Sequence, residues 1–128
     1  MMLLKIVTAY EAAKRLKDTE LDFSSAHTLM MLIKDLEPHA LFYAEGERRL
    51  VKKYAKKDKG GNILISEGGR IEFADVESAE AFERERRDLS VFEVEIDTKP
   101  RKVKAPERIS AAVLMALYGF IEFEQGGI

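Results

Sequence analysis

The side chains of this sequence best suited to acid–base or metal chemistry are His27, His39 and the alternating carboxylates Glu93, Glu95 and Asp97. Paired carboxylates can divide acid and base roles or hold a hard cation, and a histidine titrates near neutral pH. Their spacing argues against a preformed site. The histidines stand twelve residues apart, without the H-x-x-x-H or H-E-x-x-H spacing that puts two imidazoles on one helix face. Glu93, Glu95 and Asp97 alternate with Phe92, Val94 and Ile96, which is the pattern of a strand with one wet, charged face. No cysteine occurs in the 128 residues, so thiolate metal sites, disulfides and cysteine nucleophiles are excluded. Gly60-Gly61 follows a helical pattern and Gly68-Gly69 separates two apolar runs. Neither makes the strand-to-helix phosphate loop of nucleotide enzymes. No catalytic residue, metal site or cofactor is expected.

Anion binding is the other chemistry the residue types allow. Arg48 to Lys59 holds seven basic residues against Asp58, and the rows Arg48, Arg49, Lys52, Lys53, Lys56 and Lys57 lie side by side at helical spacing. Uncovered, such rows follow a phosphate backbone. Glu72 to Asp97, however, holds ten acids against Arg84, Arg86 and Arg87, so the two blocks are expected to pair within the chain. A second basic run lies at 98–108, where Lys99, Arg101, Lys102, Lys104 and Arg108 face one acid, Glu107. It lacks the interleaved aromatics that stack single-stranded bases. The default reading is a solvated connector.

The elements that position these residues follow from periodicity. Leu3 to Val7 reads as a short strand, and Thr8 with Glu11 makes a T-x-x-E capping box for a helix over Ala9 to Lys17. Ser24 or Ser25 is placed to cap a long second helix. There Leu29, Leu36, Tyr43 and Leu50 repeat every seven residues, interleaved with Ile33, Ala40, Glu47 and Tyr54. Both sets keep one apolar seam, broken only at Glu47. Pro38 lacks an amide and crowds the carbonyl four residues back, so a kink near Lys34 to Leu36 is expected in one bent rod of roughly 45 Å.

Lys59-Gly-Gly-Asn62 ends that rod, and Ile63 to Ile65 and Ile71 to Phe73 read as a β-hairpin around Gly68-Gly69. Asp75 is placed to cap an antiparallel return helix from Val76 to Leu89, with Val76, Ala79, Phe82 and Leu89 inward. The strand at Phe92 to Ile96 is expected to pair with Leu3 to Val7, with Arg101 to Lys104 as an optional third strand. Ser110 caps a final helix with Val113, Leu114, Leu117, Phe120 and Ile121 on its apolar face, and the Gly126-Gly127 tail is expected to be loose. The fold class is therefore α+β, in a single domain over residues 1–128. A long kinked helix with a β-hairpin and an antiparallel return helix joins a small sheet of two or three strands and a C-terminal helix.

The order of capped "AYEAAKRL" helix, long helix ending in "ALFYAEGERRLVKKY", Gly-Asn hairpin, acidic return helix, "VFEVEI" strand and closing "ISAAVLMALYGFIE" resembles a family of small proteins encoded by phages and prophages of Gram-positive bacteria, catalogued as a domain of unknown function. The resemblance covers nearly the whole chain. It implies a phage protein that acts inside the host cell or assembles with other phage proteins, and it supplies no catalytic residues.

Composition agrees with a folded, highly charged protein, at 46% apolar and 34% charged residues with a net charge of −2. The MMLLKIV start is too short for a signal h-region or a membrane span, so a cytoplasmic protein with no membrane partner is expected. Leu29 to Ile33 and Val113 to Leu117 carry more apolar surface than one buried face uses. That surplus favours a non-enzymatic protein that binds a phage or host protein, or itself, with Met30, Met31, Met115, Tyr118 and Phe120 as candidate contacts. The alternative is a nucleic-acid-associated regulator working through Lys99, Arg101, Lys102 and Lys104, aided by Lys52, Lys53 and Lys56. An enzyme using Glu93, Glu95, Asp97 and a histidine is the least favoured reading.

Overall fold

The computed structural model describes residues 1–97 and 99–125, so Thr98 of the connector and the Gly126-Gly127 tail lie outside the described residues. In chain order the elements are α1 (Leu3–Arg15), α2 (Phe23–Tyr54), α3 (Val76–Ser90), β1 (Arg101–Lys104), α4 (Ala111–Leu117) and β2 (Ile121–Glu124). The class is mixed helix and sheet, as the periodicities require.

α1 begins earlier than its sequence pattern suggested. Leu3 to Val7 is its first part and not a strand: Leu3, Ile6 and Val7 are buried while Leu4, Lys5 and Thr8 are exposed, a helical period that a short apolar run does not distinguish from a strand. The capping box does not form either, because Thr8 sits inside the helix and its Oγ1 donates to the Leu4 carbonyl at 2.8 Å. Ala9, Ala12 and Ala13 are buried. Their small side chains let α1 pack against both α2 and α4, while α2 packs in turn against α1, α3 and β1.

α2 is one helix of 32 residues that passes through Pro38. Its cap is Asp22, whose Oδ1 accepts from the Ser25 amide at 2.9 Å, and neither Ser24 nor Ser25 has that role. The seam residues Leu29, Leu36, Ala40 and Tyr43 are buried. The helix stops at Tyr54, before the Gly-Gly pair, with Ala55 as its C-terminal cap.

Between α2 and α3 no regular strand forms. Three isolated antiparallel bridges, Ala55↔Phe73, Lys57↔Ile63 and Ile65↔Ile71, replace the ladder expected of a hairpin. The main chain closes a ring of residues eight apart. Lys56 N–H donates to Glu72 O at 2.8 Å, Glu72 N–H to Leu64 O at 3.1 Å, and Leu64 N–H to Lys56 O at 2.9 Å. The sequence carries the same period: Asp58-Lys-Gly-Gly-Asn-Ile63 and Ser66-Glu-Gly-Gly-Arg-Ile71 make equivalent turns, each with its second glycine at positive φ, 83° at Gly61 and 76° at Gly69. The ring forms the connection at the closed end of the α2–α3 hairpin.

α3 is capped as expected by Asp75, which accepts from the Ser78 amide at 2.7 Å. It runs antiparallel to α2, since Lys53 meets Glu85 and Tyr43 meets Ser90. Phe82 is buried against Phe73, with ring centroids 5.2 Å apart. Val76, expected to face inward, is exposed. The next segment, expected as a strand, is extended chain with the single bridge Met2↔Glu93. Val94 and Ile96 pack on the core as expected, but Phe92, expected on the same face, is exposed. The segment's partner is the start of the chain: Val94 N–H bonds to Met1 O at 2.9 Å and Leu3 N–H to Phe92 O at 2.8 Å.

β1 forms where the optional third strand was placed and pairs in parallel with β2, from Arg101↔Ile121 to Lys104↔Glu124. The final helix is correspondingly shorter than expected. Ser110 caps it, accepting from Val113 N at 3.2 Å, but it ends at Leu117, and Gly119 at φ 89° turns the chain into β2. Val103, Leu117 and Ile6 are among the most deeply buried side chains, each contributing about 1.5–3 kcal/mol by burial.

Candidate protein-docking face

α4 buries Val113 and Leu117 on α1 and the sheet, which turns Leu114, Met115 and Tyr118 outward. Met115 is 77% exposed and Tyr118 81%. Positions 114 and 118 are one helical turn apart, and so are 115 and 118, so the three form a single apolar ridge. Grooves flank it on both sides. One, of about 400 Å³, is lined by Met2, Leu4, Val91, Met115 and Ala116. The other, of about 480 Å³, is lined by Pro100, Leu114, Tyr118, Ile121 and Phe123. Beyond the first groove Phe92 continues the apolar surface, its ring 6.0 Å from that of Phe42, and both rings are half-exposed.

Of the contacts expected from sequence, Met115 and Tyr118 fall on this ridge. Phe120 does not: it is 3% exposed and packs in the core, because the chain leaves the helix after Leu117 and the turn through Tyr118 and Gly119 directs its ring inward. Met30 and Met31 are partly exposed on α2, and Met30 lines a separate groove with Leu21, Ala26 and Ile33. The five candidates therefore do not share one surface. Leu4, Val91, Phe92 and Leu114 were not singled out from sequence, since their exposure depends on how α1 and α4 pack.

The basic residues divide between two regions. Arg101 is ion-paired to Asp35, Lys104 Nζ lies 3.4 Å from Asp22 and Lys102 Nζ lies 3.9 Å from Glu124. Lys99 is exposed. Lys53 pairs with Glu85 at 3.3 Å, and Tyr54 first and Glu85 second hold its ammonium above the ordinary lysine value. Lys52 and Lys56 have no ion pair among the described residues. From Asp35, where Arg101 docks, to Lys52 is about 25 Å along α2 at a rise of about 1.5 Å per residue, so the two basic regions do not form one stripe.

The acid–base candidates are partly gathered. His39, Glu95 and Asp97 line a cleft of about 220 Å³ with Asp35 and Arg101. Glu93 instead binds the Met1 ammonium at 2.8 Å, and His27 lies elsewhere on α2. Among the described residues no three His, Asp or Glu side chains are grouped so that they could hold a metal ion, those of the cleft included. No helix among them is long and apolar enough to cross a membrane. Comparison with protein families, with curated proteins and with solved structures finds no match to this chain.

Proposed function

We propose that this protein acts by binding another protein chain through the α4 ridge and its two flanking grooves, without catalysing a reaction. The observation that carries this reading is Leu114 and Met115 of α4 and Tyr118, its C-terminal cap residue, standing exposed together on a support anchored by Val113 and Leu117. An aromatic and a methionine presented on a fixed support are the kind of anchor that dominates association energies. Holding them in water costs the free protein apolar burial, which a partner restores. The partner is a phage or host protein if the sequence resemblance reflects descent, and the cytoplasm of the host cell is then the place of action.

The test is retention of a nuclease-resistant partner from bacterial lysate by the tagged protein, compared with Met115→Glu and Tyr118→Glu. Both substitutions lie on exposed positions and leave the anchors of α4 untouched. Loss of the partner in both supports the reading. Equal retention by wild type and both variants, or recovery of nucleic acid with nuclease-sensitive partners, counts against it. The second outcome would move attention to Lys99, Lys102, Lys52 and Lys56, with a steep loss of binding in salt as its mark.

A further inference from the structure

Among the described residues, the two-stranded sheet is covered along one edge and open along the other. Arg101 N–H reaches Phe120 O at 3.0 Å, and Ala105 N–H reaches Glu124 O at 2.7 Å. With the parallel register, alternation turns the main-chain groups of Phe120, Glu122 and Glu124 toward β1 and those of Phe123 away from it. β1's outward amide at Lys104 is taken by the Ser25 hydroxyl at 2.9 Å. The outward N–H and C=O of Phe123 have no hydrogen-bond partner among the described residues. An unpaired edge beside an apolar groove is where an extended segment adds as a further strand.

The chemistry of that segment can be read from the strand already seated on β2. Lys102 and Lys104 are exposed on the outer face of the sheet beside Glu122 and Glu124, while Val103 faces the core. β2 thus accepts a strand that is basic outward and apolar inward. Its open edge makes the same demands, since Glu122 and Glu124 are equally near it and the groove of Pro100, Leu114, Tyr118 and Phe123 lies alongside. A second copy of β2 does not meet them, because Glu122 and Glu124 would face their own kind.

We propose that the open edge of β2 at Phe123 receives an extended segment of a partner protein in which lysine or arginine alternates with apolar residues, added as a third strand of the sheet. This rests on the docking reading above and specifies the partner's chemistry: cations beside Glu122 and Glu124, apolar side chains in the Tyr118 groove, and main-chain bonds to Phe123.

The experiment is a fluorescence anisotropy titration of the whole protein with a labelled peptide of alternating lysine and valine. Its controls are a glutamate–valine peptide and a lysine–valine peptide N-methylated at alternate residues. Saturable binding, about tenfold weaker for the glutamate peptide and abolished by N-methylation, is expected. Phe123→Pro removes the outward N–H without touching the β1 ladder and should abolish binding. Glu122→Gln with Glu124→Gln should erase the charge preference. Absence of saturable binding, or binding indifferent to both N-methylation and Phe123→Pro, would overturn the proposal. If Tyr118 still cross-links a partner when the peptide fails to bind, strand addition is wrong and the docking reading stands.

Discussion

The Ser25 hydroxyl accepts the backbone amide of Lys104 at 2.9 Å, joining residues 79 apart in the chain. Ser25 is 4% exposed, so the bond is sheltered from water and fastens β1 to the first turn of α2. Ser25→Ala leaves the Lys104 amide without its partner and should cost about 1–3 kcal/mol in urea unfolding. Hydrogen exchange at Lys104 should accelerate more than at Val103, whose amide points toward β2. Unchanged exchange at Lys104 would show that the bond does not hold that edge.

Glu47, the residue that interrupts the apolar seam of α2, accepts from Arg86 Nε at 3.0 Å. Both side chains remain partly exposed, so the pair is worth less than about 1 kcal/mol and weakens with salt. A double-mutant cycle of Glu47→Ala and Arg86→Ala should give a coupling in that range. Coupling well above it, and insensitive to salt, would mean that the pair is effectively buried.

The twin turns separate two roles for glycine. At Gly61 and Gly69 a Cβ would meet nothing within 4 Å, so positive φ alone requires glycine there. Alanine at either position should cost about 1–2 kcal/mol. Alanine at Gly60 or Gly68, where a Cβ meets only ordinary contacts, should cost much less. Equal losses at Gly60 and Gly61 in thermal unfolding would refute the assignment.

Asp75 titrates below the ordinary carboxylate value because the Ser78 amide, then its side chain, bonds to it. A lowered folded-state value means that this carboxylate stabilises the fold above its unfolded value of about 3.9. The contribution is lost as pH falls through the folded value. Asp75→Asn keeps a capping side chain but removes this titration, so its melting temperature should decline less than that of wild type below about pH 4. Asp22, held low chiefly by Ser25, and Asp58, held low chiefly by the Asn62 amide, retain their own dependence in that variant. Parallel declines for wild type and Asp75→Asn would contradict the capping account.

Long periodic segments were legible in the sequence. The seam of α2 has enough turns to fix its register, and Asp75 and Ser110 cap where their side chains can reach a free amide. Short apolar runs were not legible, because Leu3 to Val7 satisfies a strand and a helix equally until packing on α2 and α4 decides. α4 was overextended for a related reason. Phe120 and Ile121 continue its apolar period, and the turn of Tyr118 (ψ 127°) and Gly119 (φ 89°) breaks it. The same turn buries Phe120 while leaving Tyr118 in water, so the proposed docking face was half visible. The eight-residue repeat around Gly61 and Gly69 stands in the sequence as a matching pair of turns, but the first pair of glycines reads equally as a helix end and the second as a hairpin turn until the ring of main-chain bonds joins them.

The docking account is tested most directly by replacing Tyr118 with a photo-reactive phenylalanine analogue and irradiating the protein in bacterial lysate, with the same analogue at Glu80 on α3 as the control. A discrete adduct at position 118, absent at position 80 and lost when Met115→Glu is added, is the predicted result. No adduct at position 118, or the same adducts from both positions, would contradict a docking face on α4.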